Sequence, residues 1–291
     1  METSLTPDFA VQFWGVRGSI PAPGKETVRY GGNTSCIDIH VAGKHLIFDA
    51  GTGLQVLGTQ LMKEQQPILA YMFFTHYHWD HIQGFPFFTP AFTKGNRFHI
   101  YGAVPPDGES MKQHFLERVL HPNSPVPLGG MHADIQFYEL VCGNSFTIDD
   151  IEFETGPLNH PNNAMGYRVT WGGHSVFYCT DTEHFPDRMD EHVLHLARNA
   201  DLFIYDAMYT DEEYHNPKAP KYGWGHSTWQ EAVKLAKASG VKKLVIFHHD
   251  PIHNDDFLDN LEVTVRQEFP NSILAREGLR IDVITGNCHL P

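Results

Sequence analysis

The chain is predicted to fold as an α/β protein built as one continuous domain over residues 1–291, and three observations carry that prediction. Apolar, β-branched and aromatic runs recur at residues 68–75, 175–179, 202–205 and 243–247, with helical patterning between them, which is the alternation of an α/β fold. No Ser/Gly tract, charge block or low-complexity segment interrupts the alternation, so nothing marks a linker. At 291 residues and 41% hydrophobic side chains, a sizeable core can be buried.

The opening residues, 1–13, have neither a basic segment nor an apolar one of signal-peptide type, and no later apolar run approaches membrane-spanning length. A cytoplasmic protein without a membrane partner is expected. Cys36, Cys142, Cys179 and Cys288 stand far apart with no C-x-x-C pairing, which speaks against a disulfide framework and against a cysteine zinc site. The formal charge is −14. Such an excess of carboxylates repels a long polyanion, so a long nucleic acid is not expected as a partner. A small anion is compatible with it, because divalent cations at the floor of a cleft dominate the local potential. A homodimer is compatible with these features as well.

The run at 68–75 reads as a buried strand, and it ends in His76, Tyr77, His78, Trp79, Asp80 and His81. Four side chains of metal-ligating type thus occupy one short H-x-H-x-D-H loop, at the strand end where open α/β sheets carry their sites. Imidazole suits zinc and its neighbours, and a carboxylate among imidazoles can draw in a second divalent ion.

Residues 84–131 follow, dense in Pro, Gly and Phe, with Phe85, Phe87, Phe88 and Phe92, a helix-like segment at 109–120 and a Pro-rich stretch at 122–130. This stretch is read as a cap able to roof the site. Its phenylalanines could stack on a nucleobase, although clustered Phe is more often plain core.

Three later segments offer further donors at strand ends. His160 lies in a turn between the strand-like 151–155 and 166–170. Asp181 closes the apolar run 175–179, where a carboxylate could bridge two metals. His248 and His249 follow the buried run 243–247, and either could complete the set. Singly, each of these histidines is more often a hydrogen-bonded surface or core residue than a ligand; their shared position after apolar strands is what groups them.

Two elements read as catalytic. The run 201–208 ends its apolar stretch in Asp206, and Gly225-His226-Ser227-Thr228 opens a helix. Ser227 is the expected N-cap with Gln230 as its capping-box partner. Trp229, Ala232, Val233 and Ala236 form the helical stripe, and Gly240 supplies the stop. A carboxylate beside a histidine orients the imidazole and raises its proton affinity. Just upstream, Lys221, Tyr222 and Trp224 form a locally basic, aromatic loop that could touch substrate.

Across essentially its whole length the chain resembles the metallo-β-lactamase superfamily, in its tRNase Z-like phosphodiesterase branch. The H-x-H-x-D-H loop carries the resemblance, together with the opening residues 13–21, 31–36 and 48–53. It implies a four-layered αββα sandwich, two mixed sheets flanked by helices with the site at one edge. It also implies that His76, His78 and His160 hold one metal, Asp80, His81 and His248 the other, and that Asp181 bridges them. Asp206 and His226 would form the pair that protonates the leaving group, Asp80 would belong to the catalytic machinery, and Asp49 would support the ligands from behind, although Asp49-Ala50-Gly51 reads equally as a tight turn. The tRNA-processing members carry a long arm between the equivalents of His160 and Asp181. Here only twenty residues separate the two, and the chain resembles the arm-less cyclic phosphodiesterases in this respect.

The expected function is therefore a hydrolase with two divalent ions, Zn²⁺ first and Mn²⁺ or Fe next, acting on a small phosphodiester such as a 3′,5′-cyclic nucleotide. The rivals are a lactonase or thioesterase sharing the same loop, and a non-hydrolytic diiron sensor. The sensor version usually replaces the second histidine of the loop with an acid, whereas His78 is present here.

Overall fold

The computed structural model describes residues 9–64, 67–104, 108–115 and 130–290. In chain order the strands of the N-terminal half are β1 (Phe9–Gly15), β2 (Cys36–Val41), β3 (Lys44–Phe48), β4 (Leu69–Phe73), β5 (Arg97–Ala103) and β6 (Asp134–Leu140). They are followed by β7 (Ser145–Ile148), β8 (Ile151–Leu158), β9 (Ala164–Trp171), β10 (His174–Cys179), β11 (Leu202–Asp206), β12 (Lys243–Phe247), β13 (Ser272–Leu274), β14 (Arg280–Asp282) and β15 (Cys288–His289). The α-helices are α1 (Gly53–Leu61), α2 (Trp79–Ile82), α3 (Met111–His114), α4 (Glu191–Ala197), α5 (Asp211–Tyr214), α6 (Trp229–Ser239) and α7 (Asp255–Glu268).

The strands form two mixed sheets, in the orders β15-β14-β1-β2-β3-β4-β5-β6 and β13-β12-β11-β10-β9-β8-β7. Strand periodicity explains the stacking, since alternate residues face opposite sides. Val11, Phe13, Ile37, Ile39, Leu46 and Phe48 of the first sheet meet Phe153, Tyr167, Val169, Val176, Tyr178 and Phe247 of the second in one buried cluster. The outer face of the second sheet is covered by apolar residues of α4, α6 and α7, among them Val193, Leu196, Ala236, Leu258 and Val265. The outer face of the first is covered by Leu54, Leu57 and Leu61 of α1 with Phe85, Phe88 and Met111. Three apolar interfaces separate four layers, the expected αββα sandwich.

Of the phenylalanines in the 84–131 stretch, Phe85 and Phe88 are fully buried in that outer cluster and Phe92 packs against it, while Phe87 is exposed. Within the expected helix at 109–120, Met111–His114 is helical and Ser110 caps it by accepting from the Gln113 amide at 3.1 Å. Residues 116–129, and with them most of the Pro-rich segment, lie outside the described residues.

The N-cap of α6 is a correction to the expectation: it is Thr228, whose hydroxyl accepts from the Glu231 amide, rather than Ser227. The Ser227 hydroxyl is already engaged, 3.1 Å from the Tyr205 hydroxyl and 3.0 Å from His184 Nδ1, so the next hydroxyl along takes the cap. Gly240 closes the helix with φ 70°, the left-handed region that glycine enters without a Cβ penalty. The four cysteines are free thiols, with Cys36 and Cys179 buried. No helix among the described residues is long and apolar enough to cross a membrane.

Candidate metal centre

Parallel pairing decides where the donors gather. β3 runs parallel to β4, and β10, β11 and β12 run parallel to one another, so their carboxyl ends lie along one edge of the stacked sheets. Asp49 follows β3, His76 follows β4, His160 follows β8, Asp181 follows β10, Asp206 ends β11 and His248 follows β12. Three of these turns are left-handed in residues other than glycine: Asp49 at φ 59°, Asp181 at φ 56° and His248 at φ 63°. That conformation costs on the order of 1–3 kcal/mol per residue and persists where surrounding contacts impose it. Here it turns each side chain into the gap between the sheets immediately after its strand ends.

The donors fall into two sets that share one residue. His76, His78, His160 and Asp181 each bring a ligand atom within 4.8 Å of the others, and so do Asp80, His81, Asp181 and His248. Asp181 Oδ1 lies 3.1 Å from His81 Nε2 and 3.1 Å from His248 Nε2. Its Oδ2 faces His76 Nε2 at 3.7 Å and His160 Nε2 at 3.6 Å. One carboxylate thus addresses each set with a different oxygen. Of the two histidines that close β12, His248 joins the set. His249 turns away, its Nε2 lying 2.7 Å from the Ala275 carbonyl, and burial lowers its pKa to about 3. Within the H-x-H-x-D-H loop the intervening residues point elsewhere: the Tyr77 hydroxyl donates to the Ala103 carbonyl, and Trp79 is half exposed.

A shell of partners behind the donors sets their orientation. The Asp49 carboxylate accepts from His81 Nδ1 at 2.9 Å, from the Tyr178 hydroxyl at 3.0 Å and from the Thr75 amide at 2.9 Å. The Thr75 hydroxyl also donates to Asp49 and lies 3.0 Å from His76 Nδ1, so Asp49 reaches one histidine directly and a second through threonine. His160 donates from Nδ1 to the Gly225 carbonyl at 2.8 Å. Each bond turns Nε2 of its ring toward the gap, where His160 Nε2 lies 2.9 Å from His78 Nδ1, the arrangement in which imidazoles bind metal. The Ser19 amide donates to Asp80 Oδ2 at 2.8 Å. A Cβ on Gly18 would come within 2.6 Å of the His248 ring, so glycine there lets the backbone close over that histidine.

The electrostatics fit a cationic occupant. Asp49, Asp80, Asp181 and Asp206 are all buried, and among the described residues none of them pairs with a lysine or arginine. Four buried carboxylates gathered in one site require positive charge, and two divalent ions supply four units of it. His76 Nε2 is buried without a hydrogen-bond partner, the state of a nitrogen lone pair reserved for a metal. Burial opposes the charged Asp181, yet His248 and His81 hold its carboxyl well below the usual carboxylate range. Burial, reinforced by His81, holds His76 well below the usual imidazole range and therefore neutral.

Beside this cluster, His226 Nδ1 lies 2.8 Å from Asp206 Oδ2. Asp206 is itself fixed by the amides of Thr182 and Met208, each at 3.1 Å. Burial disfavours the charged form of His226, but the Asp206 carboxylate outweighs it and raises the imidazole pKa to about 9. His226 is protonated at neutral pH and stands 4.0 Å from Asp181. Lys221, Tyr222 and Trp224 lie further out. The Lys221 ammonium sits 4.2 Å over the Trp224 ring and 5.4 Å over Tyr209, and Tyr209 in turn packs edge-on to His226. Tyr222 and Trp224 are half exposed.

The structure therefore brings together His76, His78, Asp80, His81, His160, Asp181 and His248, leaves His249 outside, and adds Thr75, Tyr178 and the Ser19 amide, which the sequence did not nominate. Tyr178 and Thr75 read as ordinary strand residues, and a backbone amide has no side-chain signature. Asp49→Asn keeps the shape of the hub and removes its charge. Its expected effect is a 10- to 100-fold loss of affinity for both ions, the usual cost of losing a supporting partner, measured by competition with a chelator. Unchanged affinity would show that Asp49 serves folding alone.

With this geometry in place, the sequence comparisons are specific. Residues 44–249 match the family model described as the β-lactamase superfamily domain. Ribonuclease Z of Lachnospira eligens is 26% identical, covering 92% of this chain and 96% of its own. Among solved structures, the short form of human tRNase Z superimposes with a TM-score of 0.66 at 23% identity, covering 97% of this chain and 99% of that one. Zinc-bound PqqB from Methylobacterium extorquens reaches 0.70 at 14% identity, covering 94% and 99%.

Proposed function

The chain belongs to the β-lactamase superfamily as a metal-dependent phosphodiester hydrolase, and from that premise we propose that its substrate is small, a 3′,5′-cyclic nucleotide first of all. The observation that carries this is the stretch between His160 and Asp181. Its twenty residues are taken up by β9, β10 and the Gly172-Gly173 turn joining them as an antiparallel hairpin, so there is no inserted arm to grip a folded RNA. The alignment with the Lachnospira eligens ribonuclease Z runs over 320 positions although this chain has 291 residues, so that relative carries segments missing here. The net charge of −14 also opposes a long polyanion.

In this reading His76, His78 and His160 hold one ion, Asp80, His81 and His248 the other, and Asp181 bridges them. The imidazole-rich donors favour zinc, as bound in PqqB, and the carboxylates also admit manganese or iron. Such ions supply Lewis acidity toward phosphoryl oxygens and lower the pKa of water. The protein's own contribution is orientation and proton supply. Asp80, held by the Ser19 amide, fixes one side of the cluster. His226, charged and aligned by Asp206, gives its proton to the departing ribose oxygen. Lys221, with Tyr222 and Trp224 beside it, provides a cation and aromatic surface at the rim for the nucleotide.

A second reading, cleavage of an RNA phosphodiester, is favoured by the ribonuclease Z relatives. The two are separated by assaying cyclic mononucleotides, dinucleotides, an aryl diester, a lactone and precursor tRNA with each metal. Turnover of the small diesters and none of the precursor is the expected result. Efficient, salt-sensitive cleavage of the precursor at its 3′ end would overturn the small-substrate reading, and preferential lactone turnover would overturn both.

A further inference from the structure

Glu183 stands two residues beyond Asp181, is 9% exposed, and has no part in the ligand sets or the proton relay. Its carboxylate nevertheless makes an unusual set of contacts. Oε1 accepts from the Tyr214 hydroxyl and from the Gly223 amide at 2.8 Å, and Oε2 accepts from the Gly225 amide at 2.8 Å. These donors come from both ends of the loop that carries Lys221, Tyr222 and Trp224. The Glu183 backbone is tied to the other side of the site: its amide donates to the Asn159 carbonyl at 2.8 Å, and Asn159 Nδ2 donates to the Glu183 carbonyl at 2.9 Å. Asn159 precedes His160, and His160 Nδ1 donates to the carbonyl of Gly225. The contacts close a ring running Glu183, Asn159, His160, Gly225 and back to Glu183. Gly225 sits at φ 84°, and a Cβ there would lie 2.2 Å from His160 Nδ1, so the ring tolerates no side chain at that corner.

We propose that Glu183 is a positioning residue of the metal centre, a single buried carboxylate that clamps the 214–225 loop onto the His160 turn. Through the Gly225 carbonyl it holds the His160 ring with Nε2 toward the ions, and through the next peptide bond it fixes the approach of His226. At the same time it anchors the segment bearing Lys221, which joins the rim of the substrate cleft to the geometry of one ligand. The proposal rests on the reading of His160 as a metal ligand. Three charge-assisted bonds to one carboxylate are strong enough to order a loop whose other side chains are largely exposed.

The test uses the metal-loaded full chain and Glu183→Gln, which keeps the side-chain volume but turns one acceptor oxygen into an NH₂ group facing N–H donors. Amide exchange in peptides spanning 215–225 is expected to rise about tenfold or more, with exchange in the sheets unchanged. Zinc affinity at one of the two sites should fall about 10- to 100-fold, and KM for a cyclic nucleotide should rise along with the loss in kcat. Tyr214→Phe removes one of the three donors and should produce a smaller change confined to the same loop, so the clamp stays testable if Glu183→Gln does not fold. Unchanged loop exchange in the folded variants overturns the clamp, whatever the metal content. Raised loop exchange with both zinc ions bound as tightly as in the wild type shows that the clamp orders the loop alone and overturns Glu183 as a positioning residue of the metal centre, whereas a His160→Ala variant that keeps both ions would overturn the ligand role of His160 instead.

Discussion

Asp181→Ala is expected to release both metal ions together, whereas His160→Ala should weaken one. The difference follows from how the carboxylate is shared. Its Oδ1 lies 3.1 Å from the Nε2 atoms of His81 and His248, and its Oδ2 faces the Nε2 atoms of His76 and His160 at 3.7 and 3.6 Å. Alanine removes a donor from each set and a negative charge from between them. Loss of a mere supporting partner costs about 10- to 100-fold in affinity, so loss of a shared ligand should exceed about 100-fold for each ion. Turnover should fall to that of chelator-treated wild type. Elemental analysis after dialysis, with activity measured on the same samples, decides the matter. A variant that keeps one ion at full occupancy would show that Asp181 serves a single site.

His226→Ala is expected to discriminate between leaving groups. A ribose alkoxide needs a proton to depart and a p-nitrophenolate does not, so a positioned acid matters for the first alone. General acid catalysis is worth roughly 10²–10⁴-fold, and a loss of about that size is expected on a cyclic nucleotide, with a far smaller one on an activated aryl diester. The geometry supports the role: the imidazole is buried and held by Asp206 at 2.8 Å. Asp206→Asn should give a milder form of the same selectivity, since it misaligns the ring without removing it. Equal slowing of both substrates at unchanged metal content would mean that His226 positions the phosphate or the fold instead of delivering a proton.

Much of the site was legible because strong local patterns carried it. An apolar run followed at once by His76, His78, Asp80 and His81 announces donors at a strand end, and the same pattern recurs before Asp181 and His248. The capping of α6 was legible to within one residue. The cap lies one residue further on because Ser227 and Thr228 each offer a hydroxyl, and the choice of Thr228 depends on Tyr205 and His184 occupying the Ser227 hydroxyl. That competition is between residues distant in sequence.

What the sequence by itself determined is the chemistry on offer: an α/β alternation, imidazoles and carboxylates at strand ends, and too short a span between His160 and Asp181 for an inserted arm. These are properties of periodicity, side-chain type and chain length, all local. What the tertiary structure alone decided is which groups meet. It chose His248 over His249 through a left-handed turn at φ 63°. It drew Asp49 to His81, Thr75 and Tyr178 across two sheets, and closed the 214–225 loop on Glu183. Such choices depend on the parallel register that brings strand ends to one edge, and on buried carboxylates that must find partners in whatever lies within about 3 Å. A linear pattern specifies neither.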